Sequence, residues 1–521
     1  MAKRNHLLLL LLTIHIIKGI VTDILVPLWE FPDEQAHFAQ VSYQVETGFP
    51  IDPYLNLSQE IYESERILGT FRNPRGDNAF TYHPLHQHQF SDSFTGPSAN
   101  YLNSLPALIR ATYVSSEAAR GEPLYYHLSS TGYLAGYHQD LITRVNLSRF
   151  ISILLSTLTV YLAFQIGIAL LPGQHLFAFS LATLTSFQPM FSFVSSGVNN
   201  DNLINLIGAL LLYISCQIIT SGLTLPLGLA AGATIGLGIL TKPLIYPLIP
   251  GVGLALLFDW YRTKRNLTSE FKLLLPLAVI AIAAGGWKFL QPLIRDGYIV
   301  NLPHRGPNSP VDPISLINYI KISLSLHYRQ TLVWYWGVFK WLGVILPLPV
   351  IRIVKLIILA SGVGLIKAFV TKPKLLSRYQ LVFLALYSLS FLIILSLWDW
   401  LLMRSIGFSQ GIQGRYFFTT IIAHLALIVV GLVNLFPKHL TSVILKLTAV
   451  LMVILHFISL KVLASAYYSL SHWATFWHQL SQYKPVIYKY PLNLLWFLVY
   501  FGLLVIFLGA FVTYSQRKVK S

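Results

Sequence analysis

Pro491-Leu-Asn-Leu-Leu-Trp-Phe-Leu-Val-Tyr-Phe-Gly-Leu-Leu-Val-Ile-Phe-Leu-Gly-Ala-Phe-Val-Thr513 runs for 23 residues without a charged side chain. At about 1.5 Å of rise per residue, a helix of that length crosses a hydrocarbon core of about 30 Å. Working outward from it, comparable apolar segments recur at 7–28, 150–171, 175–196, 202–220, 224–241, 243–260, 271–290, 349–370, 379–398, 416–435 and 442–465. A single segment of this kind is compatible with a signal peptide or a buried helix; twelve are not. Of the 521 residues, 55% are hydrophobic and 11% charged, where soluble domains carry about 25% charged residues. The expected fold is an all-α polytopic membrane protein of about 12 transmembrane helices, with a large extracytoplasmic loop after the first helix and further helices lying at the interface.

The formal net charge is +17. In a polytopic chain, Lys and Arg collect on cytoplasmic turns and sit well against anionic membrane lipids. No basic stripe with interleaved aromatics lies outside the apolar segments, so nucleic acid is not an expected partner. With the N-terminus inside, an even number of crossings puts the clusters Arg262/Lys264/Arg265, Lys372/Lys374/Arg378 and Arg517/Lys518/Lys520 all on the cytoplasmic side. The expected location is therefore the cell membrane, multi-pass, with both termini cytoplasmic. Met1-Ala-Lys-Arg ahead of Leu7–Ile20 reads as an uncleaved signal anchor, because no small-x-small cleavage site follows. The sole cysteine, Cys216, falls inside an apolar segment, which excludes a disulfide and a CxxC redox or zinc site. Residues 337–371 read either as one helix after an interfacial stretch or as two crossings, and Arg352 and Lys355 fit neither drawing easily.

Two long outer loops are expected, at about 29–149 and about 291–340. They divide the chain into a first module, 1–300, and a C-terminal membrane region, 301–521. Chemistry concentrates just after the first apolar segment, at Leu28-Trp-Glu-Phe-Pro-Asp-Glu-Gln-Ala-His-Phe38. Pro32 ends a helix there, leaving Asp33 and Glu34 at the membrane surface. His37 falls three to four residues on, on the same face of any helix that starts here. Carboxylates held at the bilayer edge suit a reaction on a lipid headgroup. The plain alternative is that Asp33 caps the next helix while Glu34 and His37 are solvated.

Pro32-Asp-Glu-x-x-His-Phe38 resembles the signature of the GT-C superfamily of polytopic glycosyltransferases, and within it a bacterial membrane family catalogued as a domain of unknown function. Glu122-Pro-Leu-Tyr-Tyr-His127, Gln188-Pro-Met190 and Ser195-Ser-Gly-Val-Asn-Asn-Asp201 resemble further blocks of that pattern. So do Gly236-Leu-Gly-Ile-Leu-Thr-Lys-Pro243, Trp336-Gly-Val-Phe-Lys-Trp341 and Gln413-Gly-Arg-Tyr-Phe417, all in the same order along nearly the whole chain. The sequence departs from the pattern at Glu122, where a second proline is usual, and at Lys340, where glycine is common.

The resemblance implies a transferase that takes a sugar from a polyprenyl phosphate or diphosphate and passes it to a glycan or other acceptor on the outer face of the membrane. Asp33 would be the general base and Glu34 its catalytic neighbour, with inversion at the anomeric carbon. His37 and Tyr125 would bind substrate. Lys242 and Arg415, at outer helix ends, are candidates to meet the leaving phosphate, although helix-end cations also snorkel with no function. Asp201 is a second acidic candidate, or a helix cap after Asn199-Asn200. His83, His86 and His88 leave a divalent metal open as a cofactor, but no spacing assigns a metal residue. Two other classes compete: a transporter or flippase of lipid-linked saccharides, expected to show repeats and charged or broken helices at mid-membrane, and an O-antigen ligase or polymerase, expected to carry a late, arginine-rich loop.

Overall fold

The computed structural model describes residues 2–48, 57–68, 70, 97–114, 122–286, 288, 290, 293–294, 313–340, 342–409 and 411–514. They are almost entirely helical, with two short antiparallel ribbons, Leu57–Ser58 against Tyr113–Val114 and Val338–Phe339 against Val344–Ile345. Every apolar segment read from the sequence carries helix, yet among the described residues nine helices, not twelve, are long and apolar enough to cross a membrane. Of the other three, His175–Phe187 and Leu225–Ile239 are shorter helices, and 15 residues of helix rise only about 22 Å, while the third lies within the helix Leu267–Gly285. The reason is local chemistry. Pro189 follows His175–Phe187 and starts a separate short helix, Pro189–Val194. Pro243 likewise closes the turn after Leu225–Ile239.

Residues 337–371 resolve as one crossing, Leu348–Val370, preceded by the small ribbon. Arg352 and Lys355 lie on its exposed side in the first two turns, where long side chains reach an interface. The helix after the first loop begins at Leu141, not near 150, so that loop is shorter than read. Its described part holds the helices Glu34–Thr47, Gln59–Leu68, Pro97–Asn103, Ala107–Ala111 and Pro123–Ala135. His83, His86 and His88 lie outside the described residues.

One apolar core runs from Leu7 to Phe511, so the two halves of the chain are packed as one body. Close helix contact depends on small residues, as in other membrane bundles. A Cβ on Gly364 would overlap the carbonyl oxygen of Gly431, which lets Leu348–Val370 lie directly against Ile421–Leu435. A Cβ on Gly208 would overlap the carbonyl oxygen of Thr419, so the helix Asp201–Ser221 and the segment Gly414–Thr420 touch backbone to backbone.

The bundle has two chemically different ends. At one end basic side chains satisfy the last carbonyls of helices, a position favoured by the helix dipole. Arg262 donates to Ile219 O at 2.8 Å and Lys374 to Asn434 O at 3.0 Å. Arg378 and Lys438 open helices at that same end. The other end, where Asp201–Ser221 and Gly414–Leu435 begin, holds the carboxylates described next.

The membrane interior is not wholly apolar. His15 Nδ1 and Nε2 each lie 2.9 Å from a serine hydroxyl, Ser186 and Ser156. Lys18 Nζ donates to Ser186 O and to Ser192 Oγ, and His456 is buried close by, edge-on to Phe187. The apolar segments 7–28 and 442–465 thus bring a set of polar groups together inside the bundle.

Candidate functional site

The first helix ends at Leu25, and the turn from Val26 to Asp33 carries the chain across the end of the bundle into Glu34–Thr47. Asp33 takes a left-handed backbone conformation, φ 56°, and makes no side-chain cap of that helix, the role that an aspartate before a helix usually fills. Its carboxylate instead meets Arg415, whose Nη2 donates to Oδ2 at 2.7 Å. The Asp33 side chain keeps 37% exposure, whereas that of Arg415 keeps 6%. Asp33 is thus the accessible member of the pair.

Arg415 is brought there by Gly414–Thr420, the segment locked against Gly208. Its Nε also lies 3.5 Å from Asp201 Oδ2. Asp201 opens the helix Asp201–Ser221, and its Oδ1 is paired with Lys242. The cap of that helix comes from Asn199, whose Oδ1 accepts Asp201 N at 2.8 Å. Asp201 is therefore released for the ion pair, and the cap reading of it does not hold. Lys242 Nζ donates also to Asn200 Oδ1 at 3.0 Å. Tyr416 lies beneath both cations, with ring centre 5.7 Å from Lys242 Nζ and 5.8 Å from the Arg415 guanidinium. Asn199 Nδ2 bonds Pro32 O at 2.9 Å, tying the Asp33 turn to the Asp201 helix. Two carboxylates and two cations leave the quartet near neutrality, while Arg415 Nη1 has no hydrogen-bond partner among the described residues.

His37 borders this group. It is buried, 2.8 Å from Tyr126 Oη through Nδ1 and stacked on that ring. Burial pushes its pKa down to about 4, with Lys242 and Arg415 also opposing protonation and Asp33 and Asp201 favouring it, so the ring is neutral near pH 7. Tyr125 sits deeper: its hydroxyl is 2.8 Å from Ser152 Oγ and accepts the Asn199 N–H at 2.7 Å. Tyr125 supports the Asn199 turn, and the substrate contact expected of it is not part of this geometry.

Glu34 points the other way from Asp33. It is fully buried and takes two bonds from Arg149, Nε to Oε1 at 2.8 Å and Nη2 to Oε2 at 2.6 Å. The backbone N–H groups of Trp29 and Val198 donate to it as well, both at 3.2 Å. Arg149 also holds Asp23 at 2.7 Å and the carbonyl of Pro27 at 3.1 Å, with its guanidinium over the Phe31 ring. Lys484 completes the cluster, donating to Asp23 O and Val26 O at 2.8 and 2.7 Å; burial, seconded by Arg149, lowers its pKa to about 7. With its oxygens occupied, Glu34 fits a brace for the 26–33 turn better than a reacting group, which corrects the expectation of two working carboxylates side by side.

Sequence reading thus named Asp33, Asp201, Lys242, Arg415 and His37, which the fold brings to one place. It gave no site role to Asn199, Asn200 and Tyr416 beside them, although each stands in one of its motif blocks. It also missed the Arg149 brace. The available signal was Asp23 itself, a carboxylate inside an apolar segment, which needs a buried partner. Among the described residues no three His, Cys, Asp or Glu side chains gather as a metal set would require.

Residues 17–424 match the family model described as predicted membrane protein (DUF2142). The chain belongs to that family. The match crosses the 300/301 division and takes in all four residues of the ion-pair quartet. No curated protein matches the chain.

Proposed function

We propose that this DUF2142 protein is a membrane glycosyltransferase of GT-C type, moving a sugar from a polyprenyl-phosphate donor to an acceptor hydroxyl in cell-envelope glycan synthesis. The observation that carries the reading is the accessible Asp33 carboxylate, paired with Arg415 and linked through Arg415 and Asp201 to Lys242 at the end of a membrane bundle. In this reading the acidic end faces outward and the basic end is cytoplasmic, in keeping with the excess of Lys and Arg there.

Asp33 accepts the proton of the acceptor hydroxyl as the new bond forms between its oxygen and the anomeric carbon. The bond from that carbon to the phosphate oxygen breaks, and polyprenyl phosphate leaves. A carboxylate in contact with the hydroxyl is the geometric need of general base catalysis. Direct displacement inverts the anomeric centre. The leaving oxygen gains charge, and cationic N–H donors near it stabilise that charge. Lys242 and the Arg415 guanidinium, once the donor phosphate displaces Asp33 from it, supply them. Donor phosphate then competes with Asp33 for Arg415, so donor binding frees the base for the acceptor. Glu34 is left out of the chemistry.

A transporter of lipid-linked saccharide is the second reading. It draws on the buried Lys18, His15 and His456, and on the helix broken at Gln188-Pro189, both features of transport pathways. Reconstitution separates the two. The full chain in vesicles, given radiolabelled polyprenyl-phosphate hexoses and pentoses and an envelope glycan fraction, is expected to yield labelled glycan and free polyprenyl phosphate. Label crossing the bilayer still attached to its lipid, with no transfer, would support the transporter.

A further inference from the structure

The segment between Thr441–Tyr467 and Leu492–Thr513 carries a cleft of about 790 Å³, lined by Trp473, Trp477, His478, Ser481, Lys489 and Tyr490 among others. That volume falls within the ~300–1,000 Å³ of small-molecule sites. Lys484 pins this segment to the carbonyls of Asp23 and Val26, so the cleft opens at the same end of the bundle as Asp33.

Its chemistry is specific. Trp473 and Tyr490 expose 67% and 56% of their surface, giving broad, stiff aromatic faces. Trp477 lies between them, 5% exposed, held edge-on by Trp473 at 5.1 Å and by Phe497 at 5.6 Å. Its indole N–H has no hydrogen-bond partner among the described residues. Tryptophan usually pairs that donor when it is buried; here it stays unsatisfied on a residue that lines the cleft. His478 and Lys489 are exposed at its border, and among the described residues no carboxylate lines it.

The geometry points to a saccharide-binding subsite, filled by the glycan acceptor. Ring C–H bonds of a sugar meet the negative faces of Trp473 and Tyr490, and a ring or hydroxyl oxygen accepts the Trp477 N–H. The Lys489 ammonium at the border favours neutral or anionic sugars over cationic ones. Aromatic residues that merely anchor a protein in lipid headgroups lie at the membrane surface with their polar tips wet; the unsatisfied Trp477 donor is buried, on a residue that lines a concavity. The name of the occupant rests on the glycosyltransferase reading, whereas the binding itself does not.

Titration calorimetry on the full chain in nanodiscs tests this with maltotetraose, chitotetraose and a tetrasaccharide of uronic acids. At least one is expected to bind, and Trp473→Ala or Trp477→Phe to weaken it tenfold or more at an unchanged melting temperature. Trp477→Phe keeps the ring packing and removes the N–H. Gly253→Ala, where nothing lies within 4 Å of the added methyl, should bind as the wild type does. Failure of all three sugars to bind, binding untouched by both variants, or variants that only weaken association with anionic lipid would each overturn the subsite. Binding that meets these expectations in a protein with no transfer activity would refute the transferase reading and leave the subsite standing.

Discussion

Arg415 Nη2 meets Asp33 Oδ2 at 2.7 Å, across 382 positions of sequence. The contact joins the turn after the first helix to the start of the crossing Gly414–Leu435, and Asp201 and Lys242 complete the circuit. Neighbouring it, Glu34 is bound just as firmly to Arg149, but in full burial. Two adjacent carboxylates are thus given opposite environments, one reachable and one sealed.

The sealed pair governs stability. Arg149→Met leaves Asp23 and Glu34 buried without their cation, which costs about 3–5 kcal/mol in comparable buried pairs. The melting temperature of the purified protein in detergent is expected to fall sharply, and the yield of inserted protein with it. An Arg149→Met variant melting with the wild type would show that the 26–33 turn does not depend on this brace.

Backbone contact between Gly208 and Thr419 positions Arg415. Gly208→Ala must displace the Gly414–Thr420 segment. We expect transfer activity to drop at least tenfold through weaker donor binding, because a shift of an ångström in a positioning group has effects of that size. Steady-state kinetics with varied donor should show the loss mainly in KM for the donor. Alanine at a more open position, Gly253, where nothing lies within 4 Å of the added methyl, is the control.

How much of this was legible beforehand follows from where the signal lives. Apolar length is local, so every apolar segment read from the sequence carries helix, whereas Glu34–Thr47, Pro123–Ala135 and Trp473–Leu480, which are not long apolar runs, went unread. Termination is also local but depends on proline geometry, and Pro189 and Pro243 cut two expected crossings short. The site residues Asp33, Asp201, Lys242 and Arg415 stood out because their motifs resemble a family pattern, although nothing in the spacing said that they touch. That the Asp33 side chain would decline its cap, and that Glu34 would turn inward to Arg149, are tertiary facts. They depend on a left-handed backbone at Asp33 and on Arg149 lying nine residues into the helix Leu141–Leu170.

Acidification should expose His37. Its pKa is about 4 in the folded protein, lowered first by burial, against about 6.5 in a free chain. Between those values the unfolded state binds a proton that the folded state does not. The contribution of neutral His37 is therefore complete above pH 6.5 and is lost as pH falls toward 4. Thermal melts over that range should show a slope that His37→Asn flattens; identical slopes would mean that His37 titrates normally.

Orientation can be read with cysteines, since the native Cys216 is buried. Asp201 and Arg415 are too buried to label, so exposed positions at each end serve better: Ser471, near the cleft, and Lys372, at the basic end. With an impermeant maleimide on intact cells, Ser471→Cys is expected to react and Lys372→Cys to react only after lysis. The reverse pattern would place the acidic end in the cytoplasm.

The central claim is that Asp33, and not its neighbour, carries the proton. Asp33→Asn and Glu34→Gln, each reconstituted with polyprenyl-phosphate sugar and acceptor, test it most directly when kcat is measured on protein of verified melting temperature. Loss of a general base costs about 10²–10⁴-fold in rate. Asp33→Asn should lose that much while melting near the wild type, and Glu34→Gln should melt lower yet keep substantial turnover per folded molecule. Turnover by Asp33→Asn within a few-fold of the wild type would contradict the account.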